Sequence, residues 1–122
     1  MKKVVFIFCV ISSLTSCYYD NEEDLYGVSN CDIEAVSFAD DILPIISDHC
    51  SSCHSGSNPS ADLTLVNYSQ IMESGLDTSN DGMISRIERL EGEPGLMPTN
   101  YRLEQCQINK IKAWVEQGAL NN

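Results

Sequence analysis

Cys50-Ser51-Ser52-Cys53-His54 puts two thiols one helical turn apart and an imidazole directly after the second. Thiols at that spacing can add to the two vinyl groups on one edge of a haem. The adjoining imidazole can then swing under the ring and bind iron from one face, which is the chemistry of the C-x-x-C-H motif for covalent attachment of c-type haem. Cys50 and Cys53 are therefore expected to carry thioether bonds and His54 to ligate iron. Two other chemistries use part of the same string. A dithiol redox pair needs only Cys50 and Cys53, but the βαβ pattern that carries thioredoxin-like C-x-x-C motifs is missing. A zinc site is less favoured, because beside the two thiols the chain has only His49 and His54 as histidine ligands.

The second axial ligand follows by elimination. The chain has two histidines, and His49 immediately precedes Cys50, on the same segment and the same side of the ring as His54. It reads as a helix-surface residue. Among the methionines after Met1, Met97 in Gly95-Leu96-Met97-Pro98 sits on an extended stretch far enough along the chain to wrap round a ring, with Pro98 to stiffen it. Met72 and Met83 fall on helical stripes, where methionine usually packs. A thioether favours ferrous over ferric iron relative to a second histidine, so His54 with Met97 predicts a raised potential and a closed, six-coordinate electron-transfer site. With Met97 weakly bound, the open position would take nitric oxide, carbon monoxide or peroxide, and the chain would be a haem-based sensor.

Thioether attachment takes place outside the cytoplasm, and the first residues read as an export signal. Lys2 and Lys3 form a positive start, Val4 to Leu14 an apolar stretch too short to span a bilayer, and Leu14-Thr15-Ser16-Cys17 resembles a bacterial lipobox. Residues 1–16 are expected to be removed and Cys17 to carry lipid, leaving an anchored chain in the cell envelope, on the periplasmic face of the outer membrane or at the cell surface. Cys9 leaves with the signal, so Cys31 and Cys106 remain once lipid and haem are assigned, and a disulfide between them is expected in an oxidising compartment. Without residues 1–16, five Lys and Arg stand against 18 Asp and Glu, a formal charge of −13. That excludes nucleic acid as a natural partner and favours redox proteins that dock through a basic patch. Residues 17–36, with the run Asp20-Asn21-Glu22-Glu23-Asp24, read as an acidic tether, and 37–122 as one small domain.

The elements that must position these residues are helical, because no long alternating run argues for a sheet. The class is all-α. Ser37 with Asp40 has the form of an N-cap box, followed by Phe38, Ile42, Ile45 and Ile46 at three- and four-residue steps toward Cys50. Pro44 predicts a kink or two short helices, with the second presenting the haem motif at its end. Helical patches are expected near Tyr68–Glu73 and Ile84–Leu90. A last helix, about Leu103–Gln117, carries Ile108, Ile111, Trp114 and Val115 on one face and stops at Gly118. Trp114 is expected in the core against the first helix. With so little core of its own, the domain is expected to pack around haem.

Phe38 to His54, the Met97-Pro98 stretch and the helix ending Ala113-Trp114-Val115-Glu116-Gln117-Gly118-Ala119 together resemble the class I cytochrome c family. The resemblance implies a small helical bundle enclosing one haem c, with thioethers at Cys50 and Cys53, His54 as proximal ligand and Met97 as distal ligand. The histidine and acids before His54 depart from the basic docking surface of mitochondrial-type members, so that surface does not carry over. A single-electron carrier that turns over no substrate is the expected function. One further pattern, Asp77, Ser79, Asp81, Gly82 and Glu88, approaches a calcium-binding loop. Its third position is Ser and no second loop pairs with it, so an ordinary turn is the preferred reading.

Overall fold

The computed structural model of the chain describes residues 31–74, 76 and 82–122. The expected signal segment, Cys17, the acidic run at 20–24 and residues 77–81 of the calcium-like pattern lie outside them. The described residues are helical and include no strand. A π-turn, Phe38–Ile42, runs directly into α1, Leu43–His49; a 3-10 turn, Ser60–Asp62, is followed by α2, Tyr68–Ser74, α3, Met83–Glu88, and α4, Gln105–Glu116. None of these helices is long and apolar enough to cross a membrane.

The first segment starts where the capping chemistry requires, with one difference from the sequence pattern. Ser37 Oγ accepts from the Asp40 N–H at 3.3 Å, but the carboxylate that reaches back to the Ser37 N–H, at 3.0 Å, belongs to Asp41. The turn is wider than an α-turn, with the Ile42 N–H bonded to Ser37 O at 3.2 Å, and this brings the fourth residue rather than the third over the cap. Pro44 occupies the first turn of α1, where its missing N–H costs least, so the chain widens ahead of the proline instead of breaking at it.

α4 begins two residues later than its apolar pattern suggested. Glu104 is extended and forms a capping box with Gln107, whose Oε1 accepts the Glu104 N–H at 3.1 Å. The helix ends at Gly118, whose φ of +99° is cheap only without a Cβ. There the Ala119 N–H turns back to Trp114 O at 2.8 Å.

Trp114 is the centre of the core, 1% exposed. Phe38 lies 5.5 Å from it between ring centroids, and Tyr68 meets Phe38 edge-on at 5.2 Å. The indole N–H donates to Leu120 O at 2.8 Å and the Tyr68 hydroxyl to Ala119 O at 2.9 Å, so both buried polar tips are satisfied. Ile42, Ile46, Ile71, Ile108 and Ile111 complete the deepest layer, each contributing roughly 1.5–3 kcal/mol by burial alone. The described elements thus pack around protein side chains, and the Cys50–His54 segment lies at the edge of that core rather than around its centre.

Residues 31–36 belong to this body and not to a free tether. Val36 is 3% exposed, its N–H donates to Gln117 Oε1 at 3.1 Å, and Gln117 Nε2 donates to Ile33 O at 2.8 Å. Cys31 is joined to Cys106 by a disulfide with Cα atoms 5.5 Å apart.

An ion pair between Lys110 and Asp41 ties α4 to the π-turn, both side chains about a quarter exposed. The Lys110 ammonium first, then the Ser37 N–H, hold the Asp41 carboxyl below its ordinary range. Asp41→Asn is expected to cost about 1 kcal/mol at neutral pH, read as a lower urea midpoint. Because the folded pKa is depressed, this contribution is complete above the unfolded-state pKa and is lost as pH falls through the folded one. The gap between Asp41→Asn and the unmodified chain should close in acid.

Candidate functional site

The Cys50–His54 segment continues α1 by one further turn. Cys50 caps the helix, its N–H bonded to Ile46 O at 2.9 Å, and its own carbonyl accepts from Cys53 N at 3.2 Å and His54 N at 3.0 Å. Those two bonds set Cys50 and Cys53 one turn apart. Ser51 locks the turn onto the following loop, its hydroxyl donating to Leu65 O at 2.8 Å. The loop returns through the Ser60 N–H to Cys53 O, 2.9 Å, and the Leu65 N–H to His54 O, 2.8 Å. Buried Leu65 pins its far end to the core.

Both thiols are free, Cys50 half-buried and Cys53 exposed. Burial, and then the charge of the neighbouring Cys53 thiolate, push the Cys50 thiol up to about 11. His54 is held by its Nδ1, which lies 3.1 Å from Ser60 O and 3.3 Å from Leu63 O. Carbonyl oxygens only accept, so Nδ1 carries the hydrogen. In neutral imidazole this leaves the Nε2 lone pair open to coordinate, with the ring orientation fixed by the backbone acceptors behind it.

Met97 is half-buried beside fully buried Leu96. Its N–H donates to Arg86 O at 3.2 Å, Arg86 Nη1 donates to Gly95 O at 3.4 Å, and Arg89 Nη1 bonds Pro94 O, so α3 holds the near end of the 94–98 stretch. Gly95 has φ +81°, and a Cβ there would collide with the Arg89 guanidinium. His49 is more constrained than a surface residue. Its Nδ1 lies 2.8 Å from the Tyr101 hydroxyl and its Nε2 2.9 Å from Gln107 Nε2, so both nitrogens are engaged away from the Cys50–His54 turn.

No family model, curated protein or solved structure matches the chain. Its chemistry therefore rests on its own residues. The donor set fits a covalently held haem: two unpaired thiols on one turn, and an imidazole whose Nε2 is left free to ligate. Among the described residues no group of three or more His, Cys, Asp or Glu side chains is placed to hold a metal ion. Within the calcium-like pattern, Glu88 accepts from Lys112 Nζ. The sequence signalled Cys50, Cys53, His54 and Met97. The carbonyls of Ser60 and Leu63 and the contacts of Tyr101 and Gln107 carried no signal, although the short span from His54 to Pro59 hints at a loop that folds back on the motif.

Proposed function

We propose that the chain is a lipid-anchored monohaem c-type cytochrome that carries single electrons between redox partners in the cell envelope and turns over no substrate of its own. The observation that carries this reading is the Cys50–His54 turn with the His54 Nδ1–H bonded to Ser60 O, which fixes the tautomer needed for an iron ligand. Haem c so held supplies one reversible ferric/ferrous electron step. Cys50 and Cys53 would hold its edge and His54 would supply one axial nitrogen. Met97 would supply the opposite thioether and, with it, a preference for the ferrous state and protection from added ligands. The acidic chain, −11 overall, would meet partners through a basic patch by weak, salt-screened contacts.

The test is an absorption spectrum of the full chain expressed with a cytochrome c maturation system, with Met97→Ala beside it. The unmodified protein is expected to show a sharp reduced α-band and a weak sulfur-to-iron charge-transfer band when oxidised. Met97→Ala should keep the first, lose the second and have a lower midpoint potential. Ready uptake of carbon monoxide by the reduced, unmodified protein would replace the carrier reading with a ligand sensor.

A further inference from the structure

We propose that His49 is a positioning residue for Met97, clamping the distal loop to the segment that carries the haem thioethers. This rests on the cytochrome reading above and adds a residue that the attachment motif does not contain. Tyr101 lies four residues after Met97 and is 42% exposed, so burial contributes little to holding it. What holds it is the His49 side chain, through the 2.8 Å contact of Nδ1 with the Tyr101 hydroxyl and an edge-on ring contact at 5.9 Å.

The polarity of the clamp follows from Gln107. Its Oε1 already accepts the Glu104 N–H in the α4 capping box, so its Nε2 faces His49 and can only donate. His49 Nε2 must accept, and Nδ1 must therefore be the donor to Tyr101. The stretch from Met97 to Tyr101 is thus tied at one end to α3, through the Met97 N–H and Arg86 O, and at the other to His49, the residue before Cys50. Loss of the His49 end frees the side of the loop that α3 does not hold. Met97 then competes less well with an added ligand for iron.

Four chains carry the test, the unmodified protein, Tyr101→Phe, His49→Asn and His49→Gln, with the Tyr101→Phe/His49→Gln double variant and Asp41→Asn as controls. Asn places an amide nitrogen where Nδ1 stands and can still donate to Tyr101. Gln reproduces the Nε2 side and cannot. Each ferric protein is titrated with imidazole while the charge-transfer band is followed. Tyr101→Phe and His49→Gln are expected to bind imidazole about fivefold more tightly, the equivalent of one lost hydrogen bond. His49→Asn should resemble the unmodified protein, and adding Tyr101→Phe to His49→Gln should change nothing further. Asp41→Asn, which weakens the fold without removing a contact of His49, Tyr101 or Gln107, should leave imidazole affinity unchanged.

Amide hydrogen exchange across residues 97–103, measured on the same chains without haem, should quicken in Tyr101→Phe and His49→Gln alone. Equal imidazole affinity in all four chains, or equal loosening by Asn and Gln, would overturn the clamp. If the unmodified chain takes up no covalent haem, the cytochrome reading fails instead, and hydrogen exchange then reports only whether His49 holds Tyr101.

Discussion

Replacing Cys50 and Cys53 together by alanine is expected to abolish covalent haem altogether, seen as a mature chain without the haem mass and without haem stain on a denaturing gel. Each single replacement should leave one thioether and a shifted α-band, because one vinyl group then stays unsaturated. On the proposed reading each thiol supplies one thioether. Cys50 and Cys53 stand one turn apart because both the Cys53 and His54 N–H groups bond to Cys50 O, and neither side chain has another covalent partner. The half-buried Cys50 thiol, pushed up to about 11, is almost wholly protonated at neutral pH. Cys53 should therefore alkylate the faster of the two in haem-free protein, and attachment at Cys50 should be the step that needs the maturation machinery. Retention of haem mass in the double variant would overturn the assignment of both residues.

The second large effect is expected on stability. Cys31→Ser with Cys106→Ser should lower the unfolding free energy by about 4 kcal/mol on the chain-entropy argument for so long a closed loop, read as a urea midpoint shift in the full chain. The sequence separation is 75 residues. Reductant should reproduce the shift in the unmodified protein and leave the double serine variant unmoved, since Cys50 and Cys53 form no disulfide. A domain this small has little stability to spare. The serine variant should also release residues 31–36, because Val36 and Ile33 are otherwise held only through the Gln117 side chain and local packing.

The helices were legible where a periodic apolar face faced a single core. Phe38, Ile42, Ile45 and Ile46, and Ile108, Ile111 and Trp114, occupy the interior their spacing implied. The cap at Ser37 was legible to within one residue, and the difference came from the π-turn ahead of Pro44, which the sequence does not distinguish from an α-helical turn. The place of Cys50–His54 at the end of the first helix was legible from the apolar steps that lead into it. The support behind it was not, since His54 is oriented by two carbonyl oxygens, and every residue has a carbonyl. His49 looked like a bystander because its partners, Tyr101 and Gln107, are 52 and 58 residues away. Contacts of that range are decided by how α4 lies against α1, and local pattern does not contain them.

The Cys31–Cys106 bridge also decides how the molecule would bear mechanical load. A pull on the residues ahead of Cys31 enters the described body at Cys31 and passes through a covalent bond straight into the first turn of α4. The hydrogen bonds of residues 33–36 to Gln117 are bypassed rather than peeled one by one. So is the π-turn beyond them, and with it α1 and the Cys50–His54 turn that α1 carries. Drag on the residues ahead of Cys31 would thus be delivered to α4, the longest of the described helices, while the Cys50–His54 turn stays off the line of force.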